Sequence, residues 1–385
     1  MREPQVTAQA PETAYLFGVE SRQDKHRLWS EEHSLEELRR LAETAGLEVV
    51  GMGLQRLAAP HPATYMGAGK LEEVRAEMLG LAARTLVLDD ELKPGQQRRI
   101  EEALPEGFKV IDRTALILDI FAQHAHTREG KLQVEMAQCR YRLPRLTRMW
   151  THLVRQSGTR AAGRTGGVGL RGPGETQLES DRRQIRTRIA RLQRELDSVR
   201  AHRRQHRQTR KRRGYPTVSL VGYTNAGKSS LLKALTHDDI HVADQLFATL
   251  DPRTRRVRLP SGGIALFTDT VGFIDKLPHD LVAAFRATLE EIADSDLIVR
   301  LVDISHEQAA ARLEAVNGVL RELGVADRKM LTVWNKIDRI PDLDLARDHV
   351  IRISALEGRG LDDLLGAVDR LLADGRPAAG PDYSS

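Results

Sequence analysis

The string Gly222-Tyr-Thr-Asn-Ala-Gly-Lys-Ser229 constrains the fold of this chain more than any other segment. It matches G-x-x-x-x-G-K-[ST], with an apolar, strand-like run at 218–221 before it and a helical pattern at 230–235 after it. Glycines in such a strand–loop–helix turn let backbone N–H groups wrap a phosphate chain at the positive end of the helix. Lys228 is then expected to reach the β- and γ-phosphate oxygens, and the Ser229 hydroxyl to ligate Mg2+. Gly222, Tyr223, Thr224, Asn225, Ala226, Gly227, Lys228 and Ser229 form the expected phosphate cradle. Alone, the string specifies only a nucleoside triphosphate.

The base and the switch chemistry are encoded elsewhere. Asn335, Lys336, Ile337 and Asp338 follow an apolar run and match N-K-x-D. A carboxylate at Asp338 can accept hydrogen bonds from the N1–H and N2 amine of guanine. Adenine offers no such donor pair and would leave the acceptor unpaired, at roughly 1–3 kcal/mol. Asp269, Thr270, Val271 and Gly272 end another run and match D-x-x-G, with Asp269 expected to hold Mg2+ through water and the Gly272 N–H to sense the γ-phosphate. Ser354, Ala355 and Leu356, after the last run, match the short loop that backs the guanine ring. Between the first helix and the next strand lie Phe247, Ala248, Thr249, Leu250 and Asp251. Thr249 is the candidate switch threonine on Mg2+, with Thr254 as the alternative. Lys228, Thr249 and Gly272 are therefore the expected catalytic groups. Ras-like enzymes place a water-positioning Gln immediately after the D-x-x-G glycine, whereas this chain has Phe273. A phenyl ring cannot orient water by hydrogen bonding, so slow intrinsic GTP hydrolysis, accelerated by a partner, is expected.

At 385 residues the chain should hold two or three domains. Apolar runs at 14–19, 47–51, 85–88 and 109–111 alternate with helical patterns at 35–45, 70–83 and 94–104, which predicts a parallel α/β domain over 14–130 after a disordered 1–13. Ser34 is read as the N-cap of the first helix and Gly46 as its stop. The middle, 131–213, is different. Leu132, Met136, Cys139, Leu143, Leu146, Trp150 and Leu153 form one heptad stripe, and Leu178, Ile185, Ile189, Leu192, Leu196 and Val199 another. They predict an antiparallel helical hairpin, broken in its first arm at Pro144. The loop at its tip, 157–174, has seven glycines, three arginines and no acid, and is read as a recognition loop rather than a linker. A GTPase domain over 214–375, with a mainly parallel sheet, and a disordered tail at 376–385 complete the expected α/β organisation.

Net charge is only +5, but residues 179–213 hold 14 Lys/Arg against 4 Asp/Glu, a local +10 that leaves −5 for the rest. So localised a basic block points to a polyanion partner more strongly than a diffuse excess would, although a solvated helix face would carry the same charge. No run of about 20 apolar residues is present, so no membrane-spanning helix is expected. No signal-peptide pattern opens the chain, and the one cysteine, Cys139, excludes an internal disulfide framework, so a cytoplasmic location is expected. Gly67-Ala-Gly-Lys70 lacks phosphate-loop spacing and is read as a helix opening, while His124 and His126 have no further metal-ligand cluster nearby.

Three longer strings are more specific than these motifs. Phe121-Ala-Gln-His-Ala-His-Thr-Arg-Glu-Gly-Lys-Leu-Gln-Val-Glu135, Gly166-Gly-Val-Gly-Leu-Arg-Gly-Pro-Gly-Glu-Thr-Gln-Leu-Glu179 and Gly222 to Ser229 resemble the HflX family of translation-associated GTPases over nearly the whole chain. The resemblance implies an N-terminal α/β domain, a helical hairpin and a C-terminal GTPase domain. It also implies binding to the large (50S) ribosomal subunit, with the glycine-rich loop and basic helix directed at ribosomal RNA, and a role in stalled-ribosome splitting or biogenesis. It places Ser229 and Thr249 on Mg2+, and Asn335 to Asp338 with Ser354 to Leu356 around guanine. Asn225 stands where potassium-stimulated GTPases use an Asn, which implies K+ dependence. Arg253 departs from the Thr usual in the family's D-P-T-T stretch and blurs the switch assignment. A monomer that binds no DNA and inserts in no membrane is expected. The competing class is an RNA-binding assembly factor in which nucleotide is mainly structural.

Overall fold

The computed structural model describes residues 11–22, 29–148, 173–212, 214–236, 246–247, 249–276, 291–340 and 350–374. The segment 157–172 of the glycine-rich loop, Trp150 and Leu153, Ala248, residues 1–10 and the tail lie outside them. Two compact units divide the chain, one of 1–122 with 132–196 and one of 123–131 with 197–385.

In the first unit, strands β1 (Glu12–Ser21), β2 (Leu47–Leu57), β3 (Thr85–Leu88) and β4 (Lys109–Asp112) pair in the order β2-β1-β3-β4, all parallel. Helices α1 (Glu31–Thr44), α2 (Ala68–Gly80), α3 (Pro94–Ala103) and α4 (Arg113–His124) alternate with them. Parallel strands need crossovers, so the inner strands β1 and β3 are covered on both faces and read as continuous apolar runs, whereas no residue of the edge strand β2 is fully buried. Tyr15, Phe17 and Val19 from β1 pack with Met66, Val74 and Leu86 in one buried cluster. β1 begins at Glu12, inside the segment expected to be disordered. Ser34 is not a cap. The helix starts a turn earlier, after Ser30, and Ser34 is buried with its hydroxyl donating to Asp89 Oδ2 at 2.6 Å. Gly46, at φ 87°, ends the helix as expected. Gly67 opens α2 from its N-cap position.

Next come α5 (Arg128–Arg142), a 3-10 turn over Leu143–Arg148 and α6 (Pro173–Arg212). The boundary drawn at 130/131 therefore falls inside α5. The helix ends where Pro144 removes a backbone donor, and the chain tightens into the 3-10 turn. α6 takes in Pro173 and Gly174 from the predicted loop, with proline in the first turn where its missing N–H costs nothing. Arg188 pairs with Glu135 at 2.6 Å, and Arg203 with Glu129 at 3.4 Å, so α6 runs antiparallel to α5. Leu192 and Leu196 of the heptad stripe are fully buried.

The second unit carries a six-stranded sheet of β5 (Thr217–Gly222), β6 (Arg253–Arg258), β7 (Ile264–Asp269), β8 (Leu297–Asp303), β9 (Met330–Asn335) and β10 (Ile351–Arg352). The order is β10-β9-β8-β5-β7-β6, parallel except for β6 against β7. Three of its helices are α7 (Lys228–Thr236), α8 (Ala309–Glu322) and α9 (Leu361–Ala373). The core joins Val218 and Leu220 to Phe267, Val299, Val333 and Leu364.

One buried ion cluster ties the first unit together. The Arg113 guanidinium, 1% exposed, donates to Asp89 Oδ1 at 2.7 Å and to Glu37. Replacing Arg113 with Ala would strand two buried carboxylates, and a loss of about 3–5 kcal/mol in urea unfolding is expected. A loss below about 1 kcal/mol would show that the cluster is solvated.

Candidate nucleotide-binding site

Parallel strands bring their carboxyl ends to one edge, and loops leaving that edge form a crevice. Here β5 delivers Gly222, β7 delivers Asp269 and β9 delivers Asn335, with Leu220 in register with Asp269 and Asp303 with Asn335. Their loops line a cleft of about 260 Å³ that includes Asn225, Lys228, Thr249, Gly272, Asp338 and Leu356.

Hydrogen bonds fix each loop. Asn225 is left-handed at φ 60° and Gly227 at φ 92°, and a side chain on Gly227 would collide with the Asn335 amide. Lys228 is buried, its Nζ donating to the carbonyls of Gly222 and Tyr223 at 3.1 and 2.9 Å. The Asn335 amide donates to the Ala226 carbonyl at 2.8 Å, and its Oδ1 accepts the Ala355 N–H at 3.0 Å. Ser354 donates to Asp338 Oδ1 at 2.5 Å, setting that carboxylate at the mouth of the cleft. Lys336, at φ 66°, reaches Asp303 Oδ2 at 2.7 Å.

On the opposite side, Ser229 Oγ lies 2.8 Å from Thr249 Oγ1 and 2.7 Å from Asp269 Oδ2. Thr254, the alternative switch residue, instead meets Thr268 at 3.0 Å across the β6–β7 pair. A Cβ on Gly272 would sit 2.8 Å from Thr224 Cα and 3.1 Å from Lys228 Nζ, so only glycine fits between them. Phe273 is buried at 3% exposure. Its backbone is paired with the phosphate loop, the Thr224 N–H donating to its carbonyl at 2.7 Å and its N–H to the Gly222 carbonyl at 3.1 Å.

Not every expected residue faces the cleft. Tyr223, Ala226, Leu250, Val271 and Ile337 are buried side chains that do not line it. Thr270 does line it, with its hydroxyl donating to the Leu220 carbonyl at 2.6 Å. Asp251 turns away to accept the N–H groups of His126 and Thr127 at 2.9 and 2.7 Å. Ala248 lies outside the described residues. Ser230 and Arg339 line the cleft unforeseen, and their only sequence signal is adjacency to G-K-S and N-K-x-D.

Three family models match in succession. GTP-binding GTPase N-terminal covers 32–122, GTP-binding GTPase Middle Region 124–210, and 50S ribosome-binding GTPase 217–336. GTPase HflX of Lacrimispora saccharolytica is 49% identical over 343 residues, covering 88% of this chain and 79% of that protein. GTPase HflX of Escherichia coli is 44% identical over 371 residues, covering 94% and 84%. The chain belongs to the HflX family. A GTP-binding protein of Sulfolobus solfataricus, solved with GDP, is 25% identical over 94% of this chain and 99% of its own, at a TM-score of 0.45.

As an HflX GTPase, the chain binds GTP and hydrolyses it. Charge in its cleft is tuned by burial. Desolvation pulls the Lys228 ammonium down to about 8, the Asp269 charge opposing that fall and Lys336 adding to it. Burial also raises Asp269, against the opposing pull of Lys228, Ser229 and Thr249. If phosphates seat beside Lys228, as the G-x-x-x-x-G-K-[ST] string predicts, they favour its charged form, so the nucleotide-bound protein should keep that proton to higher pH than the free protein. Binding then takes up a proton, and GDP affinity should weaken as pH rises past about 8. Calorimetry near pH ~8.5 in buffers of different protonation enthalpy reads the uptake, and equal heats would contradict it.

Proposed function

We propose that this HflX GTPase is a cytoplasmic factor of the large ribosomal subunit whose nucleotide state controls its binding to ribosomal RNA. The observation that carries the reading is the face of α6. Arg183, Arg186, Arg188, Arg191 and Arg194 are all exposed, while Leu192 and Leu196 are buried. Among the described residues, Arg188 pairs with Glu135 and Arg191 with Glu195, and no ion pair engages the other three. A row of guanidiniums on a rigid rod suits a phosphate backbone, and the arginines and glycines of 157–174 extend the same chemistry. The matched description, 50S ribosome-binding GTPase, agrees with that partner. Splitting of stalled ribosomes or subunit biogenesis is the setting this implies.

Within the cleft, Asp338 would accept from the guanine edge, and Asn225 to Lys228 would hold the phosphates. Mg2+ fits the opposite side. Ser229, Thr249 and Asp269 offer hard oxygen donors close together, and Asp269 Oδ1 is buried without a hydrogen-bond partner. The ion would neutralise charge on the phosphate oxygens. Lys228 would hold the β- and γ-oxygens, and the Gly272 N–H the γ-phosphate. Phe273 supplies no group for the attacking water, so turnover waits for the ribosome.

Co-sedimentation with large subunits separates this reading from a purely structural use of nucleotide. Binding should be stronger with a non-hydrolysable GTP analogue than with GDP, and should fall steeply with salt. Equal binding in both states would favour the assembly-factor reading. Reversing Arg183 and Arg186 to Glu should weaken it by about tenfold or more while leaving GDP affinity intact. Asp338→Asn should lower GTP affinity by roughly 10- to 100-fold and transfer preference to xanthosine triphosphate, and retained GTP preference would refute the guanine assignment.

A further inference from the structure

The Phe121–Glu135 string carries no GTPase motif, yet its residues 123–131 fold with the nucleotide-binding unit. Their attachment point is Asp251, two residues after Thr249. Asp251 Oδ2 accepts the N–H groups of His126 at 2.9 Å and Thr127 at 2.7 Å, and Oδ1 accepts the Thr127 hydroxyl. Thr127 is also the N-cap of α5, its Oγ1 accepting the Gly130 N–H at 3.0 Å. A continuous relay therefore runs from the Gly130 amide through the Thr127 hydroxyl to the Asp251 carboxylate. Glu129, in the same turn, pairs with Arg203 at 3.4 Å, and Arg203 also holds Glu291 at 3.3 Å.

Gly130 explains its own presence. Glycine in the first turn of a helix is unfavourable compared with alanine. A Cβ at Gly130 would intrude on Asp251 Oδ1. The position gives up helix propensity so that the carboxylate can approach.

We infer that Thr127 and Gly130 are positioning residues of the GTPase. By seating Asp251 on the start of α5, they hold Thr249 where its hydroxyl meets Ser229. The single residue between is anchored, since Leu250 is 2% exposed, and Thr249 Oγ1 lies 2.8 Å from Ser229 Oγ. Displacing Asp251 displaces Thr249. This inference rests on the reading of Thr249 as the threonine on the metal side.

The test uses the full chain and compares Thr127→Val, Thr127→Ser, Gly130→Ala and Thr249→Ala. Single-turnover GTP hydrolysis and the affinities for a non-hydrolysable GTP analogue and for GDP are measured with Mg2+. Thr127→Val and Gly130→Ala should each slow hydrolysis and weaken analogue binding by about fivefold or more, leaving GDP affinity within about twofold. Thr127→Ser, which keeps the hydroxyl, should behave as the unaltered chain. Gly130→Ala is the most telling, because a purely structural role predicts a better helix and unchanged catalysis. Should Thr249→Ala slow hydrolysis while Thr127→Val and Gly130→Ala do not, the relay is overturned and the Thr249 assignment stands. Should Thr249→Ala be silent, the assignment itself fails and the relay with it. Should Thr127→Val and Gly130→Ala lower GDP affinity as much as analogue affinity, their effect is on folding and the inference is overturned.

Discussion

The side-chain amide of Asn335 is the interaction on which the nucleotide cleft depends. It donates to the carbonyl of Ala226 in the phosphate loop and accepts the N–H of Ala355 in the base-side loop. Three segments distant in sequence thereby share one buried group. Both polar ends of the amide are satisfied, so the link costs little desolvation and allows few alternative geometries. Aspartate there would lose the donor to Ala226, and leucine would lose both bonds. The parallel sheet supplies the coarse placement, and Asn335 sets the spacing between the loops of Ala226 and Ala355.

The two most buried cations among the described residues are compensated differently. Arg113 meets two carboxylates, with one terminal nitrogen donating to Asp89 and the other to Glu37, a use of the guanidinium fork. Lys228 has only backbone carbonyls as hydrogen-bond acceptors and feels Asp269 through the field, so its ammonium loses basicity. The first arrangement fixes a domain. The second leaves an ammonium with no hydrogen-bonded carboxylate in the lining of the cleft.

Glycines, Lys228 and the carboxylates of D-x-x-G and N-K-x-D stand out in the sequence because the motifs fix residue types at set spacing, and the fold brings Gly227, Lys228, Gly272 and Asp338 to one cleft. The apolar runs of β3, β5, β7 and β8 were legible because they are buried on both faces. Strand β6 was not, since Arg253-Thr-Arg-Arg-Val-Arg258 buries only Val257 and reads as a basic coil. Ser34 was taken for a cap because its side-chain partner, Asp89, lies 55 residues further on. Asp251 misled in the same way. It stands two residues from Thr249, the candidate switch threonine, yet its hydrogen bonds go to His126 and Thr127, more than 120 residues upstream. Local chemistry reveals which groups can act. Partners brought by the fold decide which of them do.

Helix α6 is 40 residues long, so at 1.5 Å per residue it is a rod of about 60 Å. Swung through only about 10° about its Arg212 end, such a rod would carry its far tip through roughly 10 Å. A lever arm of this kind amplifies ångström-scale shifts into displacements comparable with the width of a nucleic-acid groove.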